Sequence, residues 1–222
     1  MCPLSIPQHS DWDYFWDLPG SGKFSQISWS KQRIIRVIQP FLRRGGRALD
    51  AGCGSGFFTK YFCDQGMVTV ALDFSESALK RTEQLTQGLA KIIKKDLLSG
   101  DLQKEFNEQF DVIFSDGLLE HFPLDKQDII IQNLRLALSP QGVLMTFVPN
   151  RWSPWELIRP LFMPGINEKP FILKELVAMN VRNCLRVIEK GGINALPFRF
   201  SPEKILAQHF GMLLYTISRK NF

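Results

Sequence analysis

Cysteine and histidine are scarce in this chain, with four cysteines and three histidines among 222 residues. Cys2, Cys53, Cys63 and Cys184 form no Cys-x-x-Cys pair and no cluster with histidine. That excludes a zinc-ligand pattern and a disulfide framework, and no metal is expected. Reduced thiols in a cytoplasm are the natural reading. Lysine and arginine outnumber aspartate and glutamate by 27 to 22, a net charge of +5. No block of like charge concentrates it, so the signature of a polyanion-binding arm is missing. No apolar run is long enough to cross a bilayer. Met1 to Ser10 lacks a basic stretch followed by an apolar one, so no secretory leader is expected. Internal repeats and low-complexity tracts are likewise absent. With 45% apolar and 22% charged residues the composition is that of a globular protein. The length suits one domain over residues 1–222.

Strand and helix patterns alternate through the middle of the chain. Ile34, Ile35, Ile38, Phe41 and Leu42 recur at helical spacing over Lys31 to Arg44, and Pro40 falls where that helix would kink or end. Arg47–Asp50 reads as a short strand, Phe57–Gln65 as a helix with Gly66 at its C-cap, and Met67–Asp73 as a buried strand. Ser75 is placed to cap a helix reaching about Thr86. Ala90–Asp96, less apolar and suited to an edge, Phe110–Ser115 and Val143–Val148 read as further strands. Between the last two, Gln127–Leu138 is an amphipathic helix stopped by Ser139-Pro140-Gln141-Gly142. Such alternation implies a parallel sheet with right-handed crossovers, whose site lies at the C-terminal strand ends. The rule selects Asp50, Asp73, Asp96, the stretch from Ser115 to Phe122, and Pro149–Asn150.

Two segments break the rhythm. Residues 1–30 hold Trp12, Tyr14, Phe15, Trp16 and Trp29, and read as an N-terminal cap. Residues 151–200 open with Trp152, Trp155, Leu157, Ile158, Leu161, Phe162 and Met163 among prolines that include Pro164, and read as a substrate-side insert. Within and beyond it are expected a helix over Ile172 to Met179, a strand near Cys184–Ile188, a loop through Pro197, a helix from about Pro202 and a last strand over Met212–Ser218.

The sharpest local signal is Leu49-Asp50-Ala51-Gly52-Cys53-Gly54-Ser55-Gly56, a strand running into a glycine-rich turn and then a helix. Glycine lets the backbone turn tightly and approach a ligand without a Cβ. A dinucleotide fingerprint requires G-x-G-x-x-G/A. Here Phe57 stands at the third position and Gly56 falls one residue early. Asp50 precedes the glycines, where a carboxylate repels a pyrophosphate and suits an ammonium group. The ligand implied is a cationic nucleoside. Asp73 at the next strand end suits ribose hydroxyls, and Asp96 at the third suits an adenine amino group. The bland reading of each aspartate is a helix cap or loop residue.

ALDAGCGSGFFT, VALDFSESAL, KKDLL, FDVIFSDGLLEHF and GVLMTFVPN, taken in order, resemble the motifs of class I S-adenosylmethionine (SAM)-dependent methyltransferases. They are most similar to the small-molecule "type 11" group. The resemblance covers about residues 31–150, with SPEKILAQHF and GMLLYTISRK similar to the family's last helix and strand. It implies an α/β, Rossmann-like, doubly wound and mostly parallel seven-stranded sheet with its last strand antiparallel, carrying a helical cap and insert. It implies SAM as cofactor, held by Asp50, Gly52, Cys53, Gly54 and Gly56 at the methionine end and by Asp73 and Phe74 at the ribose. Asp96 and Leu97 would flank the adenine, with Ser115, Asp116 and Gly117 close to the sulfonium. Asp116 departs from the Asn or other small polar residue frequent in the group.

A sulfonium is already a good leaving group, so orientation of a nucleophile accounts for much of such a reaction. An acidic nucleophile still needs a proton acceptor. His121 is the candidate base, the alternative being that Glu120-His121 only shapes the pocket. Tyr14 is the second catalytic candidate, its ring closing over the cofactor; the alternative is packing with its aromatic neighbours. The 152–163 stretch reads as a greasy substrate wall, a peripheral membrane contact or a plain cap. The expected activity is methyl transfer to an O, N or C nucleophile of a small molecule, hydrophobic acceptors included. Nucleic acid is not an expected partner, because SDGL stands where an N-P-P-Y-like tetrad would be and no Pro-Cys nucleophile occurs. A magnesium-assisted catechol enzyme has only Asp116 in its favour. A nucleic-acid or protein methyltransferase, and a SAM-binding regulator without catalysis, are the alternative classes. The acceptor and the oligomeric state are left open.

Overall fold

In the computed structural model the described residues are 9–99, 102, 106, 109–162, 168–196, 198, 201 and 203–221. Seven strands form one sheet: β1 (Arg47–Ala51), β2 (Val68–Asp73), β3 (Ala90–Lys94), β4 (Phe110–Asp116), β5 (Leu138–Pro149), β6 (Leu185–Ile193) and β7 (Leu213–Lys220). Their order is β3-β2-β1-β4-β5-β7-β6. β7 runs antiparallel to both β5 and β6, and the pairings among β1 to β5 are parallel. From β1 the chain builds outward to β3, then returns to β4 on the other side. The switch point therefore lies between the C-terminal ends of β1 and β4, where α/β sheets bind ligands. Asp50 and Asp116 stand there.

The strands are apolar on both sides because helices cover both faces. Leu49, Leu72, Ile113 and Leu144 pack on one face with Ile130 and Leu134 of the helix Leu124–Ala137. Their chain neighbours Ala48, Val112, Val143 and Met145 turn to the other, with Phe62, Phe114 and Phe147. That face is closed by Ile34 and Ile38 of α2 (Trp29–Ile38) and by α3 (Phe57–Asp64). Pro40 does end the regular helix, which tightens to a 3₁₀ turn over Gln39–Phe41. Ser75 accepts from the amide of Ala78 and caps α4 (Glu76–Thr86).

The structure alters two expectations. The helix stops at Ala137, just before Ser139 to Gly142 as expected, but β5 begins at Leu138 and not at Val143, so these four residues lie within the strand, where Leu138 pairs with Phe110 through a register shift. The 151–200 segment is also mostly part of the fold. A helix over Leu173–Arg182 and the edge strand β6 take up its second half, and in the first half Trp155 and Arg159 of the helix Trp155–Phe162, together with Glu168, line the cavity at the C-terminal edge. β6 is longer than expected and runs through Gly191-Gly192. A Cβ on Gly192 would sit 1.9 Å from the carbonyl oxygen of Ala207, so glycine there marks a close backbone approach and not a strand end. That approach comes from the helical stretch Glu203–Ala207 and Gln208–Phe210. Pro202, Pro197, Met163, Pro164 and the first eight residues of the N-terminal segment lie outside the described residues.

Candidate functional site

The glycine-rich turn leaves β1 and enters α3 through left-handed backbone. Gly54, at φ +45°, puts its amide 3.0 Å from Oδ2 of Asp73. Its missing Cβ would lie 2.6 Å from the Trp16 ring, so only glycine lets that ring cover the turn. At Gly56 a Cβ would meet Thr82 at 2.8 Å, so this glycine serves the packing of α4 on the turn. Asp73 accepts a second bond, at 3.0 Å, from the amide of Ser75. Asp50 accepts from the Thr59 hydroxyl at 2.6 Å.

The carboxylates here are buried, and that dominates their chemistry. Burial pushes Asp50 up to about 7, against the Thr59 bond and with help from the negative charges of Asp116 and Asp73. Burial also raises Asp73, against the amides of Ser75 and Gly54. Asp116 is raised to about 6 by burial, with Lys31 opposing. Lys31 is brought down to about 8 by burial, with Asp116 opposing. Its ammonium donates to the carbonyls of Phe24 and Gln26, the latter at 2.8 Å, and lies 4.2 Å above the Phe57 ring.

The N-terminal segment forms a cover. In α1 (His9–Asp17), Trp12, Phe15 and Trp16 recur at helical spacing and face the turn. Asp13 accepts from the Ser75 hydroxyl at 2.6 Å and the Ser77 amide at 3.2 Å, which fastens the cover to the start of α4. Arg81 donates to the carbonyl of Trp16 and to Ser21, both at 2.7 Å, and Ser25 donates to the carbonyl of Ser55 at 2.9 Å.

Beneath this cover lies a cavity of about 320 Å³ that runs from Asp50, Gly52 and Asp73 past Asp116 to Glu120, His121 and Glu168. The second end stands on a 3₁₀ turn over Leu119–His121. The Lys169 amide donates to the Glu120 carbonyl at 2.8 Å and sets Glu168 against that turn. Acid oxygens of Glu120 and Glu168 and a ring nitrogen of His121 lie within 4.8 Å of one another. Arg159 reaches Glu168 at 3.3 Å and Glu156 at 3.4 Å. Glu120 Oε1 is 3.9 Å from His121 Nε2, and Glu120 Oε2 is buried with no hydrogen-bond partner among the described residues. Burial raises Glu120 well above the ordinary range, and the charges of Glu168, Asp116 and Glu156 add to it. Glu168 is pushed up to about 7 by burial, against Arg159. The Trp12 ring meets His121 edge to face at 4.8 Å.

Of the residues expected from the sequence, Asp50, Gly52, Cys53, Gly54, Asp73, Phe74, Asp116, Gly117 and His121 line this one cavity. Gly56, Ser115, Asp96, Leu97 and Tyr14 are not among its lining residues. Ser115 is buried inside the sheet. Asp96 lies beyond the end of β3, exposed, and accepts from the Leu98 amide at 2.9 Å, the loop role that was its bland alternative. Leu97 is a core residue whose carbonyl accepts from Asn133 at 2.8 Å. Tyr14 is 70% exposed, because helical spacing that turns Trp12, Phe15 and Trp16 inward turns it outward. Lys31, Arg159 and Glu168 were missed. Lys31 carried a signal, sitting in the first turn of the helix that precedes β1 and the glycine-rich turn. Arg159 and Glu168 carried none.

Sheet order, turn and buried acids together define a Rossmann-like nucleoside-binding α/β protein. A family model described as a methyltransferase domain matches residues 49–144. The chain is 29% identical over 128 residues to the ubiquinone biosynthesis O-methyltransferase of Pseudomonas fluorescens, covering 57% of this chain and 51% of that protein. It thus spans about half the length of the curated relatives it matches. The N-methyltransferase NodS of Bradyrhizobium japonicum, solved with S-adenosylhomocysteine, superposes with a TM-score of 0.69 at 15% identity, covering 96% of this chain and 97% of that one. The magnesium protoporphyrin IX methyltransferase of Synechocystis gives 0.66 at 14%, covering 94% and 97%. Those two likenesses establish the fold. Residues 49–144 thus match a methyltransferase family model, and the chain is similar in sequence and in fold to SAM-dependent methyltransferases.

Proposed function

We propose that the protein transfers the methyl group of SAM to a small molecule bound beside Glu120 and His121. The observation that carries this reading is the continuity of one cavity from the Asp50–Gly54 turn and Asp73 to the Glu120–His121 turn. The residues fit the cofactor. Asp50 is a buried acid raised to about 7, and an ammonium group beside it would restore its charge. Each Asp73 oxygen has a lone pair beyond its amide bond for a ribose hydroxyl. When bound, SAM supplies a sulfonium-activated methyl group. The chain's part is to hold and orient the reactants, and the aromatic cover of Trp12, Phe15 and Trp16 keeps water out. His121, in reach of the same cavity, serves as a proton acceptor where the acceptor is acidic. Lys31 faces the turn as a cation suited to the cofactor's carboxylate. The acidic lining opposes a polyanionic substrate, in keeping with a small molecule.

No helix among the described residues is long and apolar enough to cross a membrane. The free thiols of Cys53, Cys63 and Cys184 suit a reducing cytoplasm.

The test is a calorimetric titration with S-adenosylhomocysteine, with NAD in parallel. Saturable binding of the first alone is expected. Binding of NAD alone would overturn the assignment. Release of S-adenosylhomocysteine from SAM in the presence of cell extract then separates an enzyme from a non-catalytic binder.

A further inference from the structure

The second end of the cavity has its own chemistry. Glu120 is 1% exposed, and its Oε2 faces no donor among the described residues. A buried acid oxygen without a partner is costly unless a ligand satisfies it. Arg159 pairs with Glu168 and Glu156 at this end of the cavity. Trp12, Phe122 and Trp155 line the same cavity as the acid, and the Trp12 ring meets the neighbouring His121 at 4.8 Å. Aromatic faces beside an acid form a receptor for an organic cation.

We propose that Glu120, with Glu168 and these rings, binds the amine of an arylalkylamine acceptor, so that the transfer is to nitrogen. The inference rests on the methyl-transfer reading above. The acceptor enters as an ammonium ion paired with the Glu120 carboxylate, which takes one proton from it. The freed nitrogen lone pair forms the new N–C bond. The C–S bond breaks with its electron pair going to sulfur, which leaves S-adenosylhomocysteine. Positive charge passes from sulfur to nitrogen, and the Glu120 proton passes to water. Charge argues for nitrogen over oxygen. A phenol must become an anion to react, here beside Glu120, Glu168 and Asp116. An amine instead gains positive charge in the transition state, which the same acids and ring faces stabilise. The elevated proton affinity of Glu120 suits it to deprotonate an ammonium ion.

The experiment uses the full chain saturated with S-adenosylhomocysteine and titrates tryptamine against tryptophol, its neutral analogue. Tryptamine is expected to bind at least about tenfold more tightly, as a paired charge on a desolvated aromatic site should. Glu120→Gln is expected to remove that preference while leaving tryptophol and S-adenosylhomocysteine affinity within about twofold, since shape is kept and charge is lost. Methyl transfer to tryptamine should be unaffected by EDTA. Equal binding of the two probes, no binding of tryptamine, or an unchanged preference in Glu120→Gln would overturn the proposal. So would transfer to catechol that requires added Mg²⁺ and stops with EDTA, which would assign Glu120, His121 and Glu168 to a divalent cation. Failure of the protein to bind S-adenosylhomocysteine is a separate result. It overturns the cofactor reading before any acceptor is added.

Discussion

Asp73→Ala tests the cofactor end most directly. The carboxylate is 7% exposed and accepts from the Gly54 and Ser75 amides at 3.0 Å each. Two ribose hydroxyls add bonds to a charged acceptor, each of about 1.5–3 kcal/mol. Water offsets part of this in the variant, so about 3 kcal/mol is the expected loss, or roughly a hundredfold in dissociation constant. The substitution also strips an acceptor from two backbone amides. Gly54 borders the cavity, but Ser75 is fully buried, so its amide is left without an acceptor and the stability cost should be about 2–3 kcal/mol, a fall in Tm of roughly 4–12 °C. Calorimetric titration with S-adenosylhomocysteine, beside a thermal melt, separates the two effects. Asp73→Asn serves as a second probe: an amide nitrogen turned toward Gly54 opposes donor to donor, while the side-chain volume is kept. An Asp73→Ala protein that melts near wild type and binds within twofold of it would refute the assignment of β2 to the ribose.

Three further outcomes follow from the same geometry. Asp50, raised to about 7, should make cofactor binding weaken as pH falls below about 7, by up to about tenfold per unit, if it pairs with a cation. The same shift acts on stability with the opposite sense, because the folded protein keeps a proton that the unfolded chain releases near 3.8. The contribution is fully present below about 4 and is lost as pH rises to about 7; urea midpoints of wild type against Asp50→Asn would show a flatter slope in the variant. Gly192→Ala forces a Cβ to within 1.9 Å of the Ala207 carbonyl oxygen and should cost about 1–3 kcal/mol, read from urea unfolding; a loss under about 0.5 kcal/mol would mean the helical stretch beside β6 shifts freely. Tyr14→Ala should leave S-adenosylhomocysteine affinity within about twofold, as expected for an exposed ring, whereas Trp16→Ala, which uncovers Gly54, should weaken it by about tenfold or more.

The sheet was legible in the sequence because its evidence is local. Val68 to Asp73 is β-branched and apolar between Gly66 and Ser75, and each of those signals acts within a few residues. The glycine-rich turn was legible for the same reason. Expectations failed where a distant part of the chain decides. Ser139 to Gly142 hold turn residues, yet Phe110 on the neighbouring strand recruits Leu138 and draws them into β5. Gly191-Gly192 lie beyond the strand expected near Cys184–Ile188, yet β6 runs through them, and contacts with Tyr215 and Ala207 are what require glycine there.

The two ends of the cavity differ in legibility for a related reason. The nucleoside end is built from strand termini, and each contributes its acid at a position that the parallel topology fixes. Asp96 shows how narrow that rule is, since a strand that stops at Lys94 leaves it in a surface loop with the Leu98 amide as partner. The acceptor end is assembled from a 3₁₀ turn, a cover helix and the segment near Glu168, joined by contacts such as the Lys169 amide on the Glu120 carbonyl. No periodicity encodes that meeting. What identifies it is the burial of several acids where Arg159 is shared between Glu156 and Glu168. An arrangement that leaves an acid oxygen of Glu120 without a donor among the described residues works against folding. Such a cost is retained where a ligand relieves it, which places the information about the acceptor in the electrostatics of the folded cavity and not in any motif along the chain.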